Sequence, residues 1–419
     1  MRLLKSLSIY TFSSFFSAGL SFLLLPVFTH YLSKEDYGII GLITTSVALL
    51  APFIGLSSYG AIQAEYYRLS RDRLANYIST TLWNSFIVFT LFLVIAFLVS
   101  NLISTTIGLP QDWIWLIPFM ALFSIPTAIL LVLLQSENKP ILYGIFNITQ
   151  AIVGIGIGLF FVIVLDYHWK GRMLGIALTG LSFFIISIII LYRKKLFNFS
   201  YNLSYSKSAI LFGLPLIPHA VGGFIIESSD RYFIASMLDL SELGIYNLGY
   251  QIGGLIGMLD AAFVQAFIPF FYENVEKNTK ESNIKVVRAS YLYLIGLLAS
   301  VIVLYIFAPF LFTIFIDKKF LAGERFVFMI ALGYFFVGVY KMFAGYIFYF
   351  KKTKYLAYLA LINVLLNLVL NYFLIKQYGA MGAAYATTIS YFVVAVLIII
   401  VSNRVHRMPW LNFSQLIKL

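Results

Sequence analysis

The sequence predicts an all-α integral membrane protein of twelve transmembrane helices, arranged as two six-helix lobes related by a parallel repeat. Three observations predict it. Of 419 residues, 61% are hydrophobic and 11% charged, whereas a soluble chain of this length divides into two or three domains with about a quarter of its residues charged. Twelve stretches are apolar over the roughly 20 residues needed to cross about 30 Å of hydrocarbon. Short sequence matches also recur at an offset of 206 or 207 between the halves.

The expected spans cover residues 7–31, 38–63, 78–101, 113–134, 141–165, 173–192, 209–238, 243–271, 287–311, 325–350, 355–375 and 380–402. The first follows Arg2 and Lys5 as a signal peptide would. Its apolar stretch is too long and it lacks a small-residue cleavage site, so it is kept as a span. With the N-terminus cytoplasmic, the inner segments hold 20 of the 29 Lys and Arg and the outer loops hold 7, among them Lys34, Lys170, Arg172 and Arg325. Arg231 and Lys341 fall within spans. This asymmetry predicts both termini inside. It also explains the net charge of +12 as topology and attraction to an anionic inner leaflet, so nucleic acid is not expected as a partner. The absence of cysteine excludes a disulfide framework and thiol chemistry.

The hydrophilic stretch 193–207 separates an N-terminal lobe, 1–192, from a C-terminal lobe, 208–419, as a cytoplasmic linker. After span 1 the chain reads YLSKEDYGI, and after span 7 it reads MLDLSELGI, pairing Leu32 with Leu238, Gly38 with Gly244 and Ile39 with Ile245. Gly175 and Ala177 pair likewise with Gly382 and Ala384 at the starts of spans 6 and 12. Six is even, so both lobes would have one orientation in the membrane, with a substrate path expected between them.

The run from Tyr31 to Gly38, the stretch from Gly55-Leu56 to Arg68, Asp230-Arg231, Leu243 to Tyr246, and Ile268-Pro269 together resemble the polysaccharide transporter family, the Wzx-like O-antigen flippases. The resemblance covers essentially the whole chain through short motifs. It departs at Ser33, where the family often has Gly. It implies the fold of the superfamily that includes MATE exporters and lipid II flippases, with a cleft opening alternately to either side. It further implies a flippase of the bacterial plasma membrane, moving undecaprenyl-pyrophosphate-linked oligosaccharide from inner to outer leaflet, with H+ or Na+ as counter-ion and polysaccharide assembly proteins as partners.

A charge near the bilayer centre costs at least about 2.5 kcal/mol, so embedded charges mark partners or watery cavities. Counting about 1.5 Å per residue, Glu227, Asp260 and Lys341 lie within about 5 Å of the midplane, with Asp230 and Arg231 about 10 Å from it toward the outside. His219, Glu227, Asp230 and Arg231 share a face of span 7. Two readings remain open there: Glu227 and Arg231 neutralise each other four residues apart, or the set lines a cavity. Gly249, Gly253 and Gly257 give span 8 a narrow face, so Asp260 either bonds across a packed interface or carries a counter-ion. Lys341 has no acid within a turn and must meet one on another span or hold an anion.

On the flippase reading, Arg231 and Lys341 are candidates for the pyrophosphate, and Glu227, Asp230 and Asp260 for ion coupling. Asn147 and Gln150 in span 5, with Asn363, Asn367 and Asn371 in span 11, form uncharged polar stripes. They are either interhelical glue or sugar contacts, and Asn147, Gln150, Asn363 and Asn367 are carried as sugar-contact candidates.

No HExxH, Walker A or GxSxG sequence occurs, and four His are too scattered for a catalytic or metal site, so neither an enzyme nor a cofactor is expected. Two other functions compete: a MATE-type exporter of drugs or metabolites, and a non-transporting scaffold for glycan assembly. Two embedded cations favour an anionic substrate over the exporter.

Overall fold

The computed structural model describes residues 22–410 together with 13, 16, 19 and 20, apart from the side chains of His219 and Ala266. Among the described residues ten helices are long and apolar enough to cross a membrane, or eleven when a bent pair counts as one span. Each corresponds to one of the expected spans 2 to 12. Eleven of the 25 residues of span 1, all before Phe22, lie outside the described residues. Its end forms α1, Leu25–Tyr31, with Pro26 in the first turn, where a missing N–H costs nothing.

The chain divides into two compact units, one of residues 1–224 with 239–241 and one of 225–238 with 242–419. In the first, α2 (Lys34–Ile54) opens on a capping box in which Ser33 and Asp36 satisfy each other's backbone N–H groups. The expected second span ran on to residue 63. Instead Pro52 and the left-handed residues Leu56 and Ser57 end the helix, and a separate α3 (Tyr59–Tyr66) follows. Then α4 (Arg71–Ile107) runs for 37 residues, about 55 Å, well past the expected 78–101. A ruler of apolar length stops at Arg73 and Asn76, but neither residue breaks the helical hydrogen-bond ladder.

A single turn at Gln111–Ile114 leads into α5 (Leu116–Ser136), and α6 (Pro140–Leu159) ends in a π-turn over Phe160–Val164. Next, α7 (His168–Arg193) crosses α6 closely. Gly175 faces Gly154 and Gly158, Gly171 faces the Phe161 backbone, and a Cβ at Gly175 would lie 2.6 Å from the Gly158 backbone. Small residues four apart on both helices permit that approach. The core of this unit gathers Ile54, Ile62, Ile78, Ile129, Leu133 and Leu191.

The expected linker is strapped down. Asn198 bonds Ser79, Asn202 donates its N–H to Thr80 at 3.1 Å, and Trp83 donates to the Phe199 carbonyl at 3.2 Å, before α8 (Leu203–Gly213) begins. Glu137 accepts from Lys139 at 2.8 Å and from Lys194 at 2.7 Å. Burial pushes its carboxyl upward, but the two lysines outweigh that and hold it below the ordinary range. A group with a depressed pKa adds stability above its unfolded value and loses it as pH falls. Melting temperature should therefore drop more steeply for the wild type than for Glu137→Gln as pH falls from about 5 to about 3. Parallel pH slopes would count against the clamp.

Next comes α9 (Leu216–Met237), whose residues from Ile225 to Met237 belong to the second unit. There α10 (Leu240–Gly253), shared at its first residues with the first unit, and α11 (Leu255–Lys277) follow. Leu240–Gln265 meets Phe267–Lys277 at 44°. Pro269 explains the bend, because its ring removes a bond to the carbonyl of residue 265 and crowds it. The long α12 (Lys280–Phe315) opens on a Thr279 capping box with Ser282, upstream of the expected 287. A 3-10 turn at Lys318–Gly323 leads into α13 (Glu324–Tyr349), followed by α14 (Lys354–Tyr378) and α15 (Ala380–Val405). Tyr246, Phe312, Phe320, Phe326 and Tyr346 fill this unit's core.

Candidate functional site: paired charges among tyrosines

Gly249, Gly253 and Gly257 on α10 and α11 place the candidate site. A Cβ at Gly253 would lie 2.8 Å from Ile330, and one at Gly257 would lie 2.6 Å from the Tyr334 ring. The helix that the glycine face admits is thus α13, which carries Lys341. Gly338, one turn before Lys341, leaves the space in which Tyr293 and Leu297 of α12 sit.

Two ion pairs result. Asp260 is wholly buried, accepts from Lys341 Nζ at 2.6 Å and accepts a second bond from the Tyr293 hydroxyl. The Tyr293 ring stacks on Phe263 at 3.9 Å. The Lys341 side chain is 40% exposed, so the acid is sealed while its cation reaches an open surface. Asp230, 1% exposed, accepts from Arg231 Nη1 at 3.1 Å, from the Arg231 backbone N–H at 2.8 Å and from the Tyr246 hydroxyl. Arg231 also donates to the Glu227 carbonyl at 2.7 Å and lies 4.3 Å over the Tyr250 ring, a cation–π contact. The Tyr334 hydroxyl donates to that of Tyr250 at 3.2 Å.

Several sequence expectations need correction. Arg231 pairs with adjacent Asp230 and contacts only the backbone of Glu227, so of the two readings left open for this face the Glu227–Arg231 ion pair does not form. Among the described residues the exposed Glu227 carboxylate has no ion-pair partner. The five embedded charges therefore do not present two free cations: both are matched by acids, and with every group ionised one negative charge is left over. That removes the sequence argument for an anionic substrate from embedded cations. The side chain of His219 lies outside the described residues.

Asn367 is sealed rather than set to meet sugars. It accepts from Ser229 at 3.0 Å and Asn371 at 3.0 Å and donates to Ser390 at 3.3 Å, tying α9, α14 and α15 together. Burial of a polar side chain inside a bundle demands such partners, and Asn367 finds them on two other helices. Asn363 is buried as well, 6% exposed, with its Oδ1 unbonded among the described residues. In the first unit Asn147 and Gln150 are half-buried, and Gln150 lines a cavity there with Ser124 and Thr179. Tyr246, Tyr250, Tyr293 and Tyr334 were missed by the sequence reading. Their one signal, Tyr246 and Tyr250 at helical spacing beside the glycine face, is hidden among 29 tyrosines.

The class follows from these features: a multi-pass, all-helical membrane protein with charge pairs held inside its second unit. A sequence profile of the polysaccharide biosynthesis protein family matches residues 3–275, about two thirds of the chain, and the chain belongs to that family. A MatE profile matches residues 223–373. A Haemophilus influenzae protein described as an uncharacterized membrane protein is 24% identical over 403 residues, 93% of this chain and 92% of its own length. The fold is similar to that of the lipid II flippase MurJ in an inward closed conformation, with a TM-score of 0.77, 18% identity, and coverage of 94% of this chain and 87% of that one. It is also similar to a multidrug resistance MATE family transporter in an inward-facing conformation, with a TM-score of 0.74, 13% identity, and coverage of 91% and 93%.

Proposed function

We propose that this protein is a flippase that moves an undecaprenyl-pyrophosphate-linked oligosaccharide from the inner to the outer leaflet of a bacterial plasma membrane. The expected lobes, 1–192 and 208–419, alternate access to the two sides, both termini being cytoplasmic. Membership of the polysaccharide biosynthesis protein family supports the substrate class. Solvation supplies the need, since each sugar hydroxyl taken unpaired into hydrocarbon costs about 4–8 kcal/mol.

The observation that carries the mechanism is the asymmetric Asp260–Lys341 pair. The pyrophosphate, a stronger anion than one carboxylate, draws the open Lys341 ammonium away from Asp260. The sealed carboxylate is then left without its cation in a dry site, where taking up a proton is less costly than staying charged. Headgroup binding thereby loads a proton that travels outward with the headgroup, and headgroup release lets Lys341 return and expel it, so this pair couples a proton by co-transport rather than by exchange. Glu227, exposed and without an ion-pair partner among the described residues, is the candidate carrier of a counter-ion. Arg231, committed to Asp230, fixes α9 rather than meeting the substrate. The membrane potential helps, since moving one negative charge outward across 100 mV releases about 2.3 kcal/mol.

The test is reconstitution. Purified protein in liposomes should translocate a lipid-linked oligosaccharide, scored by accessibility to an external glycosidase, and protein-free liposomes should not. No translocation by folded protein would refute the proposal. The MatE match over residues 223–373 supports one competing function, export of a drug or metabolite. A soluble organic cation exchanged for protons by the same liposomes, with no movement of the lipid, would select it.

A further inference from the structure

Among the described residues of the first unit, Arg172 is a cation that no carboxylate neutralises. Arg172, expected in the loop before span 6, lies inside α7, because that helix starts at His168, five residues ahead of the apolar stretch. The close α6–α7 crossing puts Arg172 Nη1 beside Gly158, where a Cβ would lie 3.1 Å away. On another side the guanidinium lies 4.4 Å over the Phe28 ring. All 17 Asp and Glu residues are among the described residues. None pairs with Arg172, and among the described residues no acceptor takes a hydrogen bond from it. This contrasts with Arg231 and Lys341, each of which has its own acid.

Arg172 lines a cavity of about 330 Å³ together with Gln150, Ser124 and Thr179. Thr179 is 4% exposed and its Oγ1 has no hydrogen-bond partner. Three sets of donors, the guanidinium, the Gln150 amide and the Thr179 hydroxyl, thus share one space, and no carboxylate shares it. The remaining wall includes Met120, Phe123, Ile155 and Ile176, a low-dielectric lining that strengthens the pull of the guanidinium on an anion. The N-terminus of α7 adds a positive partial charge of the same sign one turn away. Donors, uncompensated positive charge and an unbonded buried hydroxyl describe a receptor for an oxyanion.

We propose that this cavity binds the phosphate of a lipid headgroup, and that Arg172 is its principal ligand, with Gln150 and Thr179 completing the oxygen contacts. The site is separate from the Asp260–Lys341 pair, and its occupancy does not depend on whether the protein flips lipid. Two sources share this chemistry: the pyrophosphate of a lipid-linked sugar, which would extend the proposed function, and an ordinary anionic phospholipid.

The experiment uses the full chain in neutral detergent and a photoreactive farnesyl pyrophosphate carrying a diazirine, with adducts located by mass spectrometry. Labelling is expected within residues 120–124, 150–155 and 172–180. Arg172→Gln should lower the yield there about tenfold, as loss of a charge-assisted contact predicts, while Arg172→Lys keeps most of it. The uncharged farnesol probe should leave these segments unlabelled. Undiminished labelling of Arg172→Gln, or equal labelling by farnesol, overturns the proposal. Should Arg172→Gln fail to fold, Ala151→Phe narrows the cavity with Arg172 in place, and the same loss is expected. Unchanged yield in that variant is again contrary.

Competition by excess phosphatidylglycerol as effective as that by unlabelled farnesyl pyrophosphate assigns the site to membrane phospholipid; competition by the pyrophosphate alone assigns it to the lipid-linked substrate. Arg172-dependent labelling by a protein that fails to translocate in liposomes would remove the flippase proposal and leave this site standing. Translocation without such labelling would do the reverse.

Discussion

Replacing Lys341 by Met should abolish transport and destabilise the protein, and restoring neutrality with Asp260→Asn should recover stability without recovering transport. The single change strips a wholly buried carboxylate of its cation and leaves only the Tyr293 hydroxyl to solvate it. Breaking a buried pair from one side costs about 3–5 kcal/mol. The loss here should sit at the lower end, because Lys341 itself is 40% exposed and partly screened. In Lys341→Met/Asp260→Asn the uncompensated charge is gone and an amide can still accept from Tyr293, so thermal denaturation in detergent should return close to the wild type. Glycan export in cells should stay absent, because the movable cation is missing. A double variant that transports would show the pair to be structural only.

The second large effect is expected at Asp230. Arg231 is 13% exposed and Asp230 is 1% exposed, so Asp230→Ala leaves a nearly buried guanidinium and the Tyr246 hydroxyl without their acceptor. A loss of about 3–5 kcal/mol should follow, read as lower expression and a lower melting temperature. Asp230→Asn separates two ideas about Arg231. If Arg231 meets the pyrophosphate, as its depth in the sequence suggests, removing the acid frees it, and farnesyl pyrophosphate should bind more tightly. The pairing observed here predicts unchanged or weaker binding together with reduced stability.

The all-helical membrane class and the positions of spans 2 to 12 were legible because both depend on local quantities, hydropathy and apolar length. Helix ends were less so. α4 and α12 continue through Arg73, Asn76, Lys285 and Arg288, since hydrogen bonding and caps such as Thr279 set a helix terminus, not polarity. Partner identity was not legible at all. Lys341 and Asp260 are 81 residues apart, and only the glycine-permitted approach of α10 and α11 to α13 joins them. Asn367 shows the same limit from the other side, because a stripe of amides looks alike whether it faces sugars or, as here, Ser229 and Ser390. Arg172 was placed in a loop because its polarity marked the end of an apolar run, although the helix had already begun at His168.

Proton uptake on headgroup binding tests most directly whether Lys341 exchanges between Asp260 and the substrate. Farnesyl pyrophosphate added to purified protein in weakly buffered, sodium-free detergent solution should take up about one proton per chain, followed with a pH indicator. The uptake should vanish in Asp260→Asn while binding persists. Binding without proton uptake, or an equal uptake by Asp260→Asn, would contradict the exchange.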